Sequence, residues 1–192
     1  MAAVGWVPEL RWALVGCWRL ARGDRGGLAC FDRSLDGFWR SFRAAFLSYP
    51  LYLVLLMMRV SPAQWQAAGG GRIVAIETIG YVIAWVAFPL VILSVAGWIG
   101  REQRFFDFMV PYNWCQLPQS MLFVLVGVAS ESGILGGPAV HAINAAALVA
   151  VMVYEWFIAQ VALETNGATA TLVVLVDLAL GFLVSLAADS LY

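Results

Sequence analysis

Long apolar stretches with few charged residues run through most of this sequence, and they constrain its fold more than any other feature. Of the 192 residues, 62% are hydrophobic and only 12% are charged, whereas soluble domains average about 45–50% apolar and about 25% charged residues. A soluble fold would leave much of this apolar surface in water. The composition therefore indicates a protein that crosses a membrane several times. It excludes a cytosolic globular protein, a disordered chain and a nucleic-acid-binding protein.

The apolar stretches predict five transmembrane helices. A helix needs about 20 apolar residues to cross the hydrocarbon core of a bilayer, and such segments lie at residues 38–59, 73–99, 110–129, 138–164 and 168–188. The connections between them are short and leave little room for a domain outside the membrane. We therefore expect an all-α fold, with an interfacial amphipathic segment over residues 1–37 and a five-helix transmembrane bundle over residues 38–192.

The N-terminal segment is rich in arginine and tryptophan. On a helix that turns 100° per residue, Arg11, Arg19 and Arg22 fall within an arc of about 80°. Such a face suits the anionic surface of the cytoplasmic leaflet, so we expect an interfacial helix whose arginines contact lipid headgroups. The lipid-binding side chains expected at the start of the first span are Trp39, Arg40 and Arg43. The alternative is a segment that docks on the helix bundle.

The basic residues are distributed unevenly among the predicted loops. All eleven are arginine; seven precede the apolar part of the first span, two follow the second span, and two lie between these spans. With five spans, the seven arginines before the first span and the two after the second span lie on the same side of the membrane. The positive-inside rule then predicts a multi-pass protein of the bacterial inner membrane, with a cytoplasmic N-terminus and the C-terminus on the opposite side.

The third predicted span has a polar first half. This half, VPYNWCQLPQ, contains two prolines together with Asn113, Gln116 and Gln119, whereas the second half is apolar. A polar, proline-containing half-helix is tolerated inside a membrane only against protein or a water-filled cavity. We therefore expect the first half of the third span to lie against protein or against a water-filled cavity.

Two acidic residues fall near the middle of neighbouring spans. Glu155 and Asp177 lie at similar distances on either side of the turn signal Asn166–Gly167. On antiparallel helices both would lie about 16 Å from that turn and thus in one layer. A carboxylate at this depth costs at least about 2.5–3.5 kcal/mol, and no arginine lies near it in the sequence. We therefore expect at least one of the two carboxyl groups to be protonated at neutral pH.

Two interpretations of this acidic pair remain open. A neutral carboxylic acid can hydrogen-bond to a neighbouring helix and serve a structural role, whereas acids inside membranes also mark transport and proton-relay pathways. The other members of the predicted intramembrane polar site are Gln160, Asn144, Asn113, Gln116 and Gln119. Glu77 lies near the start of its span, within two turns of Arg72, and we expect it to reach the membrane interface.

Motifs for catalysis and cofactor binding are missing from the sequence. It contains no G-x-S-x-G, H-E-x-x-H, Walker-type or dinucleotide-binding motif. The three cysteines and the single histidine lack the spacing of a metal site. We therefore expect no enzymatic activity, no cofactor, no metal and no nucleic-acid partner.

The order of segments resembles that of the Yip family of small membrane proteins, which have a basic N-terminal segment, five closely spaced spans and almost no extramembrane domain. The stretches FDRSLDGFWRSFRAAF and RFFDFMVPYNWCQL also resemble segments of bacterial membrane proteins of similar architecture. Eukaryotic members of the family are linked with Rab GTPases and with membrane shaping. This sequence lacks their D-L-Y-G-P motif, so the resemblance carries over neither a GTPase partner nor a site residue.

Two functions fit these features. Minimal loops and many small and aromatic residues favour a membrane scaffold or accessory subunit that packs against other membrane proteins or against a second copy of itself. The alternative is a small proton-coupled transporter or permease component, whose pathway would use the third span with Glu155 and Asp177.

Overall fold

The computed structural model describes residues 6–192, and the chain is helical throughout that range, without a strand. The helices are α1 Trp6–Ala21, α2 Leu35–Ser41, α3 Arg43–Arg59, α4 Pro62–Ala68, α5 Gly70–Trp98, α6 Phe105–Glu131, α7 Gly137–Ala162 and α8 Gly167–Asp189. Two 3₁₀ turns, Arg25–Cys30 and Glu102–Arg104, complete the architecture. The all-α fold is thus confirmed for the described residues.

Polar side chains fix where several helices begin. Ser34 Oγ accepts a hydrogen bond from the Gly37 amide (3.1 Å) at the start of α2, and Asn166 Oδ1 accepts one from the Thr169 amide (2.9 Å) at the start of α8. Such caps satisfy amides that have no partner within the helix. The Asn166–Gly167 signal therefore marks a helix start, and the first span begins at Leu35 rather than at residue 38.

Four helices are long and apolar enough to cross a membrane: Leu35–Arg59 (α2 with α3), Gly70–Trp98, Gly137–Ala162 and Gly167–Asp189. Large apolar side chains are exposed along the bundle, as expected of a surface that faces lipid. The fold is therefore that of a membrane protein. The third predicted span corresponds to α6, which has a similar length but is not among these four helices, because its first half is polar.

Helix α6 is the centre of the bundle. It packs against α1, α2, α3, α5 and α7, and every residue from Phe108 to Cys115 is buried. Phe88 of α5 stacks on Tyr112 of α6, with ring centroids 4.4 Å apart. The expectation that the polar half of the third span lies against protein is therefore confirmed.

Helix α1 docks on this central helix and on α7. Its buried face is formed by Ala13, Gly16, Cys17 and Leu20, on the side of the helix opposite Arg11. A Cβ atom on Gly16 would lie 2.6 Å from the Phe31 ring, so only glycine allows this close approach. The first α-helix is thus part of the packed structure.

Candidate functional site

A cavity of about 550 Å³ lies between α5, α6, α7 and α8. Five residues of the predicted polar site line it, namely Asn113, Gln116, Gln119, Glu155 and Asp177. Helix α8 packs chiefly against α5 and α7, which leaves this space beside α6. The structure therefore brings together residues from three helices that are up to 64 positions apart in sequence (177 − 113 = 64).

The two acidic side chains face each other within this cavity. Both side chains line the cavity and lie close to each other. Tyr112 Oη donates to Asp177 Oδ1 (2.8 Å), and Gln116 Nε2 lies 3.5 Å from Glu155 Oε1. Their expected common layer on α7 and α8 is thus confirmed. Tyr112 was not predicted as a site residue, although it belongs to the same polar half-helix.

The two remaining amides of α6 differ in their hydrogen bonding. Asn113 Nδ2 donates to Ser41 Oγ (2.8 Å), which ties α6 to α2. Gln119 is only 5% exposed, and its Nε2 atom has no hydrogen-bond partner among the described residues. A buried amide without a partner costs about 1–3 kcal/mol. Gln119 lies beside Glu155, and its Nε2 atom is an unpaired donor at the cavity wall.

Aromatic side chains form much of the remaining wall. They come from α5, α6 and α8 and are Trp85, Phe88, Tyr112, Phe123 and Phe182. None of the described residues that line the cavity is basic. The site therefore combines apolar, electron-rich surfaces with two carboxyl groups.

Asn144 and Gln160, the other two residues of the predicted polar site, do not line this cavity. Asn144 is exposed, and its Nδ2 atom donates to Ser130 Oγ (2.9 Å) and to the Val140 carbonyl (2.8 Å). It shares a face of α7 with Glu155 but lies about three turns away. Gln160 is half-buried and points about 140° away from Glu155 around the helix.

A second polar cluster lies at the other end of the bundle, around Glu77. The Glu77 carboxylate forms an ion pair with Arg59 and accepts hydrogen bonds from Tyr52 and Tyr192. Glu77 is only 2% exposed, so its carboxylate is paired within the protein, and its position at the membrane interface stays a prediction. The antiparallel arrangement of α3 and α5 places the end of one beside the start of the other, and the same reasoning that aligned the two central acids could have found this pair.

This Glu77 cluster adjoins the cavity through Arg59. Arg59 Nη1 donates to Ser185 Oγ (2.8 Å), and Ser185 lines the cavity. Burial and the hydrogen bond to Glu77 raise the pKa of Tyr192, which lies beyond the end of α8. Tyr192 is therefore a neutral donor, and the cluster connects α3, α5, α8 and the C-terminal residue.

The arginines predicted to bind lipid fall into two groups. Arg11 and Arg22 are exposed, as is Trp39. The other three form ion pairs within the chain: Arg19 with Asp24 (2.6 Å), and Arg40 (3.0 Å) and Arg43 (2.7 Å) with Glu9.

The ion pairs at the N-terminal end explain part of the docking of α1. Glu9 joins α1 to α2 and α3 through its two arginine partners, and sequence reasoning did not single it out. At the other end of α1, the hydrogen bond from Arg19 lowers the pKa of the Asp24 carboxyl. Both ends of α1 are thus held by ion pairs.

Comparison of the chain with protein-family models, with curated proteins and with solved structures gives no match. The chemistry of the cavity itself must therefore indicate the function. Two neighbouring carboxyl groups can share or release a proton and can attract a cation. No group of three His, Cys, Asp or Glu side chains among residues 6–192 is placed to hold a metal ion.

Proposed function

We propose that this protein is a small proton-coupled transporter or permease component, with the cavity as its solute site. The supporting observation is that Glu155 and Asp177 together line a cavity between four helices. Acids at membrane depth are costly and mark ion or proton pathways by default. In this proposal the pair holds a proton when the site is empty of solute, and release of that proton changes the charge of the cavity.

The proposed topology has five spans, with α6 crossing the membrane inside the bundle and α1 lying at the cytoplasmic interface. Its support is the similar length of α6 and the other long helices and the distribution of arginine. This topology places the N-terminus in the cytoplasm of a bacterial cell and the C-terminus across the inner membrane. It also underlies the proposed kinship with the Yip family, which shares this order of segments.

Transport is tested with purified protein reconstituted into liposomes that enclose a pH-sensitive dye. Concentration steps of Na⁺, K⁺, choline and an amino-acid mixture are applied in turn. We expect a change of lumenal pH for at least one solute, and we expect Glu155→Gln and Asp177→Asn each to abolish it. Glu131→Gln, an exposed acid at the end of α6, is the matched control and should retain the pH change. Absence of a pH change for every solute would contradict proton-coupled transport.

The second candidate function is a scaffold or accessory subunit, which an exposed face of α7 favours. Ala145 and Ala146 are exposed there, next to Val149 and Val153 on the outer surface. Small residues let another helix approach closely in a membrane. Purification in mild detergent followed by mass measurement separates the outcomes: a stoichiometric foreign subunit supports this role. A lone monomer contradicts it, while a dimer of the chain fits either function, because five spans lack an internal repeat.

A further inference from the structure

The lining of the cavity points to the charge of its ligand, on the premise that the cavity is the solute site proposed above. It contains two carboxyl groups, Glu155 and Asp177, and no basic side chain among the described residues. An anionic or zwitterionic solute would place its own carboxylate beside these acids without a cationic partner, which is strongly unfavourable inside a membrane. A positively charged solute, in contrast, is attracted by a carboxylate in the cavity.

The walls further indicate an organic cation rather than a metal ion. Aromatic rings from three helices, including Trp85, Phe88 and Phe182, line the same cavity as the acids. Such rings bind cations through their faces, and quaternary ammonium groups are commonly held in aromatic cages. A bare divalent cation needs about six or more oxygen ligands close around it, whereas the volume of about 550 Å³ lies in the usual range for organic ligands.

Gln119 adds a requirement for a hydrogen-bond acceptor. Its Nε2 atom has no partner among the described residues, although the side chain is 95% buried (5% exposed) and lines the cavity. A ligand that brings an oxygen acceptor would satisfy this donor. Because the acids exclude a carboxylate, the acceptor is a neutral group such as a hydroxyl.

We propose that the cavity binds a small organic ammonium ion that carries a neutral oxygen acceptor. Glu155 and Asp177 pair with its positive charge, and the Gln119 amide donates a hydrogen bond to its oxygen. Choline is a compound of this class. When the ammonium ion binds, one carboxylic acid of the pair loses its proton to water and the resulting carboxylate pairs with the cation. The total charge of the site is therefore unchanged, and protons and ligand compete.

The groups around the acidic pair define the pH range in which this competition is measured. Tyr112 of α6 donates a hydrogen bond to Asp177. Tyr154 is next to Glu155 on α7, and beyond it lie the thiols of Cys115 on α6 and Cys17 on α1. The lining residues of α5 are uncharged. Phenols and thiols ordinarily keep their protons below about pH 8. Choline binding is therefore expected to weaken as the pH falls from about 7.5 to about 5.5, in the range where carboxyl groups take up protons.

The proposal is tested by binding of radiolabelled choline to the purified full-length protein. We expect saturable binding, competed by tetramethylammonium but not by 3,3-dimethylbutan-1-ol, the uncharged isostere of choline. Glu155→Gln and Asp177→Asn should each weaken binding by about tenfold or more, because each removes one partner of a buried charge pair. Glu131→Gln, which lies outside the cavity, should bind as the wild type does.

The Gln119→Leu variant keeps the test independent of overall folding. It should weaken choline but leave tetramethylammonium, which has no hydroxyl, unchanged, so the ratio of the two affinities is the readout. Equal competition by the uncharged isostere, or no saturable choline binding, would overturn the proposed ligand class. A pH change driven by another solute would then leave proton-coupled transport standing. Choline binding without a choline-driven pH change would instead contradict proton-coupled transport of choline and leave the ligand assignment intact.

Discussion

Glu77 joins three parts of the chain through its carboxylate. Its partners are Arg59 at the end of α3, Tyr52 two turns earlier on the same face of that helix, and Tyr192, the last residue. The Arg59 side chain is 41% exposed, while that of Glu77 is only 3% exposed. Loss of the Glu77 charge would therefore leave an arginine that can still turn to solvent, but two half-buried phenols would lose a charged acceptor.

We predict that Glu77→Gln lowers the free energy of unfolding by about 1–3 kcal/mol, the usual cost of losing hydrogen bonds to a charged group. Thermal unfolding of the purified protein in detergent measures the change. The control is Asp189→Asn in the same cluster: its carboxylate is 47% exposed and 3.3 Å from Arg59, so its loss should cost less than about 1 kcal/mol. Equal effects of the two variants would contradict this account of Glu77.

At this scale, sequence reasoning found the residues whose partners lie at matching depth on consecutive helices. Glu155 and Asp177 flank one turn, and their pairing follows from counting residues. Tyr112 and Glu9 could not be assigned in this way, because their partners lie on helices that are distant in sequence. Gln160 was assigned by residue type alone, and the helical angle of about 140° from Glu155 would have excluded it.

Helix α1 brings one cysteine against the centre of the bundle. The thiol of Cys115 on α6 lies 3.1 Å from Cys17 Sγ on α1, and Tyr154 of α7 donates to the Cys17 carbonyl (2.9 Å). Both cysteines are buried, whereas Cys30 is half-buried and outside this contact. A crosslink between Cys17 and Cys115 would therefore report that α1 is docked against α6.

We predict that diamide, a membrane-permeant thiol oxidant, joins Cys17 to Cys115 within one chain. The two thiols lose their hydrogens to diamide, which is reduced to the hydrazine. Peptide mapping by mass spectrometry under non-reducing conditions detects the product. Cys30→Ser should leave the yield unchanged, and Cys17→Ser should abolish it. If Cys17 reacts as readily as Cys30 with a water-soluble maleimide and no crosslink forms, α1 does not dock as described.

The polarity of α6 predicted that its first half lies against protein but not which elements cover it. Long-range packing partners depend on the order in which the helices are arranged around the centre, and hydropathy carries no information on that order. Helix α1 was assigned to the interface from its arginine arc. The opposite face, with Ala13, Gly16 and Cys17, is small and uncharged, and this pattern also permits close docking.

The number of membrane crossings determines the arrangement of the whole molecule. If α6 crosses, the chain has five spans and its termini lie on opposite sides; if it does not, the four remaining spans return the C-terminus to the side of the N-terminus. Four helices meet the length and apolarity needed for a span. The position of every loop after α6 therefore depends on this one helix.

We predict that alkaline phosphatase, which is active only outside the cytoplasm, is active when fused after Ala68, Gly133 or Tyr192 and inactive when fused after Arg101 or Thr165. Expression is in a bacterial host, and a fluorescent protein that folds only in the cytoplasm serves as the complementary reporter. The reverse pattern from Gly133 onward would show that α6 does not cross the membrane, while the reporters after Ala68 and Arg101 would still give the same result.

The buried position of α6 has a consequence for biogenesis. Its first half, with Pro111, Pro118 and three amides, gains little by moving alone from the translocon into lipid. On the proposed five-span topology, α6 becomes acceptable to the bilayer once earlier segments α1, α3 and α5 shield its polar face, and α7 can complete that enclosure only later in synthesis. Membrane integration of this segment is therefore coupled to assembly with its neighbours, and chains truncated before α7 should be the substrates of membrane quality-control proteases.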